Sequence, residues 1–166
     1  MNNFPADLSY SLDKTDDTFV DEVYKKAFPH LKEIRVVTDL ETQKKGIDKI
    51  LVFEGGNTVF VDEKRRRKDY GDILLEEYSN WERKTVGWLG KTKYTDYIAY
   101  IVAESKKIYL LPFLLLQKCW VDNYSQWLTE YGRKFADNSI YHTSNIAIPT
   151  DILIDMLKKS MTISHA

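Results

Sequence analysis

Apolar residues change period several times along this chain, and each change marks an element. From Asp17 a polar, aperiodic start gives way to Phe19, Val23 and Ala27, apolar at i, i+4 and i+8. That spacing predicts a helix capped by Thr18 and stopped by Pro29. Residues 1–17, carrying Asn, Asp, Ser and Pro without a period, predict a loosely ordered leader. Ile34 to Val37 reads as a short extended piece, and Gly46 to Phe53 as a strand. Gly55-Gly56-Asn57 then supplies a hairpin turn and Thr58 to Lys64 the return strand. Asp72 to Tyr78 reads as a third strand completing an antiparallel meander. Tyr97 to Ala103 and Lys107 to Leu111 form a second hairpin across Glu104-Ser105-Lys106. A helix is predicted over Phe113 to Tyr131, ending at Gly132. A short extended piece at Ser144 to Ile148 leads through Pro149 into a last helix from Asp151 to about Met161, with Thr150 as its cap. The pattern describes one α/β domain over residues 18–166, a mixed sheet flanked by helices.

Composition narrows the class. The chain has 166 residues, 43% hydrophobic and 13% aromatic, enough for a packed interior. Charged residues make up 30% but nearly cancel, to a formal charge of -1, so attraction to nucleic acid requires local clustering. The single cysteine, Cys119, excludes an internal disulfide and a Cys-rich zinc site, and its apolar surroundings predict a buried structural thiol. The longest apolar run, Ile108 to Leu116, is far short of a membrane span, which needs about 20 residues. With no secretory signal pattern at Met1 to Asp17, a cytoplasmic protein without membrane contact is expected.

The chemistry concentrates in one hairpin. Gly46-Ile47-Asp48-Lys49-Ile50 is followed, after the turn, by Val59-Phe60-Val61-Asp62-Glu63-Lys64-Arg65. Side chains alternate along a strand, so Asp62 and Lys64 share one face and Glu63 takes the other. The hairpin brings Asp48 beside Asp62, and two adjacent carboxylates repel unless a cation lies between them. Hard oxygen donors suit Mg²⁺ or Mn²⁺. With Lys64 alongside to orient water or stabilise phosphate charge, the parts of phosphodiester hydrolysis fall within one hairpin.

An Asp on one strand of a hairpin and Asp-x-Lys on the next resembles the core of the PD-(D/E)xK nuclease superfamily, over about residues 18 to 111. The resemblance implies a restriction-endonuclease-like α/β fold. It assigns metal binding to Asp48, Asp62 and the backbone carbonyl of Glu63, and catalytic assistance to Lys64. It also points to Glu22 on the first helix as an accessory acidic residue. The family's proline before the first Asp is replaced here by Ile47. The stretch Glu76-Glu77-Tyr78-Ser79, with Gly87-Trp88-Leu89 and Thr95-Asp96-Tyr97-Ile98, resembles uncharacterised phage-like and bacterial members, and through them Glu77 becomes a further metal-site residue.

The basic run Lys64 to Lys68 abuts the proposed site, so Arg65, Arg66, Arg67 and Lys68 are expected on the phosphate backbone. Lys84, Lys91 and Lys93 stand near Trp81, Trp88 and Tyr94, a mixture suited to stacking and backbone contact. His30, His142 and His165 lack metal-ligand spacing, and Trp120, Tyr124 and Trp127 read as packing. The expected activity is metal-dependent phosphodiester hydrolysis, on DNA rather than RNA, with a homodimer favoured if both strands of a duplex are cut. A catalytically inactive nucleic-acid-binding or assembly protein with the same fold is the alternative.

Overall fold

The computed structural model describes residues 17–164, so the leader expected before Asp17 and the last histidine lie outside the described residues. The chain is α/β, and its contacts gather into two compact units. One comprises residues 17–69 with Lys93–Phe113, the other Tyr70–Thr92 with residues 114–164.

In the first unit, α1 (Asp17–Ala27) precedes β1 (Leu31–Val36), a short α2 (Leu40–Lys44), β2 (Lys49–Phe53), β3 (Thr58–Arg66), β6 (Tyr97–Val102) and β7 (Lys107–Pro112). The intervening β4 (Asp72–Asn80) and β5 (Thr85–Val86) belong to the other unit. The sheet order is β1-β2-β3-β6-β7, antiparallel except where β3 runs parallel to β6. Helix α1 packs Phe19, Val20 and Tyr24 onto Leu51, Val61, Ala99 and Ile101. The buried stripe is therefore turned from the expected one: Ala27 is exposed and Tyr24 buried. The helix already includes Thr18, which is not its cap. Helix α2 went unpredicted, although its cap is legible, since the Asp39 side chain accepts from the Thr42 N–H at 2.8 Å.

The expected meander needs correcting. It forms from β1, β2 and β3, while the strand at residues 72–80 joins a second sheet. The side of β3 away from β2 is taken by β6, and a parallel neighbour requires a long crossover, which residues 67–96 provide. Alternation shows that a strand has an apolar face, not which strand it pairs with.

The second unit has sheet order β5-β4-β9-β8, where β8 (Lys134–Asp137) was unforeseen and β9 (His142–Pro149) extends the predicted short piece. Ile73 and Leu75 lie opposite Ile148 and Ile146, giving β4 and β9 a common buried face. Helix α3 (Phe113–Tyr131) matches its prediction and buries Leu116, Cys119 and Trp127. Burial raises the pKa of the Cys119 thiol, as befits a structural cysteine. Helix α4 (Thr150–Ser160) packs on β4 and β9, with Leu153 and Leu157 buried. Its Thr150 is the first helical residue rather than the cap, and its N–H bonds the Gly71 carbonyl at 2.9 Å. None of the described helices is long and apolar enough to cross a membrane.

Glu77 continues the buried face of β4, and its charge is met within this unit. Arg133 donates to it through Nε at 2.7 Å and through a terminal nitrogen at 2.8 Å, and Ser144 donates at 2.8 Å. The Tyr124 hydroxyl completes the set. Burial would raise the carboxyl pKa, but the bonds from Arg133, Tyr124 and Ser144 overcome it and lower it. Arg133→Leu leaves that charge without its cation. With Arg133 partly solvated, a loss of about 2 kcal/mol is expected at pH 7. Because the native pKa of Glu77 is depressed, its stabilising contribution is present above the unfolded value near 4.3 and fades below it. Urea denaturation from pH 7 down to pH 3 should therefore show wild type and variant converging in acid.

Candidate functional site

The chain is shaped locally to place Asp48. After α2, Gly46 adopts φ +79°, a left-handed conformation that favours glycine, and turns the backbone toward the sheet. That turn delays β2 until Lys49, so Asp48 stands just before the strand and not within it. Its backbone is still fixed on both sides: its N–H donates to Val61 at 2.8 Å, and its carbonyl accepts from Val37 at 2.9 Å. A Cβ on Gly46 would lie 2.7 Å from the Lys93 side-chain Cδ, so the glycine also makes room for that stem.

Asp48, Asp62 and Lys64 are brought together on one face, as the hairpin geometry required. Asp62 is buried, and one of its oxygens accepts from Lys64 Nζ at 2.5 Å. Its other oxygen accepts from Lys93. Burial pushes the Asp62 pKa up, but the Lys64 and Lys93 charges outweigh it and hold the group below the ordinary carboxylate range. Asp48 moves the opposite way. Burial, with the Asp62 charge adding, raises its pKa despite a 2.8 Å bond from the Glu63 N–H to its Oδ2. Lys93, expected on nucleic acid, is instead a member of this centre. It meets Asp62 from 31 positions away, because β6 lies parallel to β3 and draws the preceding loop alongside. No local motif could reveal that.

The opposite face of the hairpin carries a second charged cluster, which the sequence reading missed. The Glu63 side chain accepts from Tyr24 at 3.0 Å and pairs with Lys49 at 3.1 Å and Arg65 at 2.9 Å. Lys49, itself buried, also bonds Asp21 at 2.9 Å. Burial disfavours its charge, but Glu63 and Asp21 raise its pKa above the ordinary value. Two expectations are corrected here. The helix residue reaching the sheet is Asp21, on the face away from Asp62, whereas Glu22 is exposed. Arg65 points to this same face and is held by Glu63, so its placement on a phosphate backbone does not stand. Arg66 falls on the Asp62 face by alternation, and Arg67 and Lys68 are exposed beyond it.

Glu77 lies in the other unit and is held by Arg133 rather than by a metal or Lys64, which corrects its assignment to this site. Lys91 also belongs to that unit, with its carbonyl bonded by Gln117 at 3.1 Å. His142, at the start of β9, pairs with Glu82 at 2.5 Å within that same unit.

Comparison with protein-family models, curated proteins and solved structures finds no match to this chain.

The donor set for a cation follows from the geometry. Among the described residues there is no group of three or more His, Cys, Asp or Glu side chains able to hold a metal ion. Asp48 and Asp62 offer two carboxylates. Since the Glu63 N–H points past the start of β2 toward Asp48, ladder alternation sends the Glu63 carbonyl to the same side. Two carboxylates and one carbonyl form a sparse set, of the kind Mg²⁺ accepts when water and substrate oxygens complete its shell.

The opposed pKa shifts give a test. A raised native pKa means that Asp48 favours folding below its unfolded value near 3.9 and forfeits this as pH rises through the native value. Asp48→Asn keeps an acceptor for the Glu63 N–H and removes the penalty. The variant should melt above wild type at pH 7, and thermal scans at falling pH should show that advantage disappearing below about pH 4.

Proposed function

We propose that this protein is a divalent-metal-dependent nuclease with a restriction-endonuclease-like fold of the PD-(D/E)xK type, acting on DNA. The observation that carries the reading is the convergence of Asp48, Asp62 and Lys64 on one face of the β2–β3 hairpin, with Asp62 buried and Asp48 half-buried. A helix followed by an antiparallel β-meander, and then a strand parallel to the Asp-x-Lys strand, supplies the frame. Mg²⁺ or Mn²⁺ would be held by Asp48, Asp62 and the Glu63 carbonyl.

When bound, the ion supplies positive charge against the phosphate and acidifies water. The residues of the chain do the positioning. Lys64, fixed on the Asp62 face by β3, donates toward the attacking water or a phosphate oxygen as negative charge builds there. Lys93 offers a second ammonium group beside it. Arg66 extends the same face toward the neighbouring phosphate, and exposed Arg67 and Lys68 add attraction further along. Water adds to phosphorus, one P–O bond breaks, and the products are a phosphomonoester and a hydroxyl end.

A second reading has its own support. Lys64 and Lys93 together satisfy both oxygens of Asp62 without any metal, as a nucleic-acid-binding protein of this fold with no catalysis would require. The two readings separate in one assay. Plasmid, linear duplex, single-stranded DNA and RNA are incubated with Mg²⁺ or Mn²⁺ beside Asp62→Ala and Lys64→Ala. A nuclease cuts at least DNA, only with metal, and each variant loses roughly a hundredfold or more in rate. Binding without cutting supports the second reading, and cutting that survives in both variants places the centre elsewhere.

A further inference from the structure

Next to Lys93 stands an aromatic side chain that the fold does not use. Tyr94 is 67% exposed, although its backbone is held by hydrogen bonds. Its N–H donates to the Lys45 carbonyl at 3.0 Å. The following Thr95 is buried, and its hydroxyl bonds the Phe60 and Tyr97 carbonyls at 3.0 and 2.9 Å. Asp96 then exchanges bonds with the Phe60 backbone, both at 2.8 Å. A large ring is thus presented to solvent from a pinned segment, so little further order is lost when something stacks on it.

The surroundings select what stacks. The Lys45 ammonium stands 6.0 Å from the ring centroid, at the outer limit of cation–π reach, so it does not close the face. Lys44 precedes it at the end of α2. One residue along the chain from Tyr94, and about 3.8 Å away between Cα atoms, Lys93 reaches Asp62. An exposed aromatic face beside a lysine ammonium, one residue along the chain from the Asp62 centre, suits a base with phosphates flanking it. A base inside a duplex offers no face to such a ring.

We infer that Tyr94 is a stacking platform for an unpaired base adjacent to the phosphate held at the Asp48–Asp62–Lys64 centre. The substrate class is therefore single-stranded nucleic acid, or a duplex end or junction with an unpaired base. The inference rests on the nuclease reading and deepens it.

The test uses the full chain, with a short fluorescein-labelled single strand and a blunt duplex of the same sequence, in Ca²⁺, read by fluorescence anisotropy. Tyr94→Ala should weaken single-strand binding about tenfold or more while leaving duplex binding within about twofold. Tyr94→Phe and Tyr94→Trp, which keep a ring, should bind the single strand like wild type. Equal single-strand affinity for Tyr94→Ala and wild type overturns the inference, as does an equal loss on both probes. A wild type that cuts duplex in the metal assay but shows no single-strand binding overturns the stacking role and leaves the nuclease reading standing. A wild type that neither binds nor cuts either probe overturns both.

Discussion

The rest of the site depends on the neutralisation of one buried carboxylate, Asp62. It sits in the strand that joins the two halves of the first sheet, paired antiparallel on one side and parallel on the other. A lone carboxylate at such a position would take up a proton rather than remain charged. Lys64 comes from two residues along the same strand, so its position is set by the pleat alone. Lys93 comes from the loop before β6, so its position is set by the parallel pairing. The second of these makes the charge centre a property of the tertiary fold. Were β3 to pair with β4, as local pattern suggested, Asp62 would have one lysine and an unmet oxygen.

The same rule recurs in each unit. Glu63, on the opposite face of the same hairpin, is met by Lys49 and Arg65, and Glu77 by Arg133. Such pairs add less to stability than apolar packing of similar volume would, because desolvation offsets most of the attraction. What they do supply is a single register. A one-residue slip of β3 would move Asp62 and Lys64 onto the α1 face and Glu63 and Arg65 opposite, separating Asp62 from Lys93 and Glu63 from Lys49. The charged residues interrupting the apolar pattern of the hairpin therefore specify β-pairing as well as chemistry.

How much of this could be read from the chain follows from the range of each interaction. The hairpin and its three chemical residues were legible because turn glycines and strand alternation act over a few positions. Helix α3 was legible for the same reason, its apolar residues recurring at helical spacing between Pro112 and Gly132. The partner of β4 was not, since Ile73 and Leu75 would match any apolar strand and the one they meet is 71 to 75 residues away. The displacement of Glu77 from the site to a structural ion pair is a consequence of that single pairing. The choice of Asp21 over Glu22 turned on helix phase. A stripe through Phe19 and Val23 fits either Ala27 or Tyr24 as its next member, and the buried tyrosine rotates the acidic face by one residue.

The electrostatic balance of the centre bears on the proposed function. Asp48 and Asp62 are matched by the ammonium groups of Lys64 and Lys93, so the four side chains sum to no net charge. A phosphodiester carries one negative charge and gains more as water adds to phosphorus. In the proposed reading the same four groups with a divalent ion would carry an excess of two positive charges to set against it. In the proposed reading such an ion would favour the transition state over the substrate, which is what catalysis requires. It would also have to share the oxygens of Asp62 with Lys64 or Lys93. Lys64 comes from a strand and Lys93 from the segment before β6, so the two ammonium groups reach Asp62 from different elements. Gly46, with no Cβ against the Lys93 stem, leaves room for that side chain where it stands, which makes a backbone position outside the charge centre part of its construction.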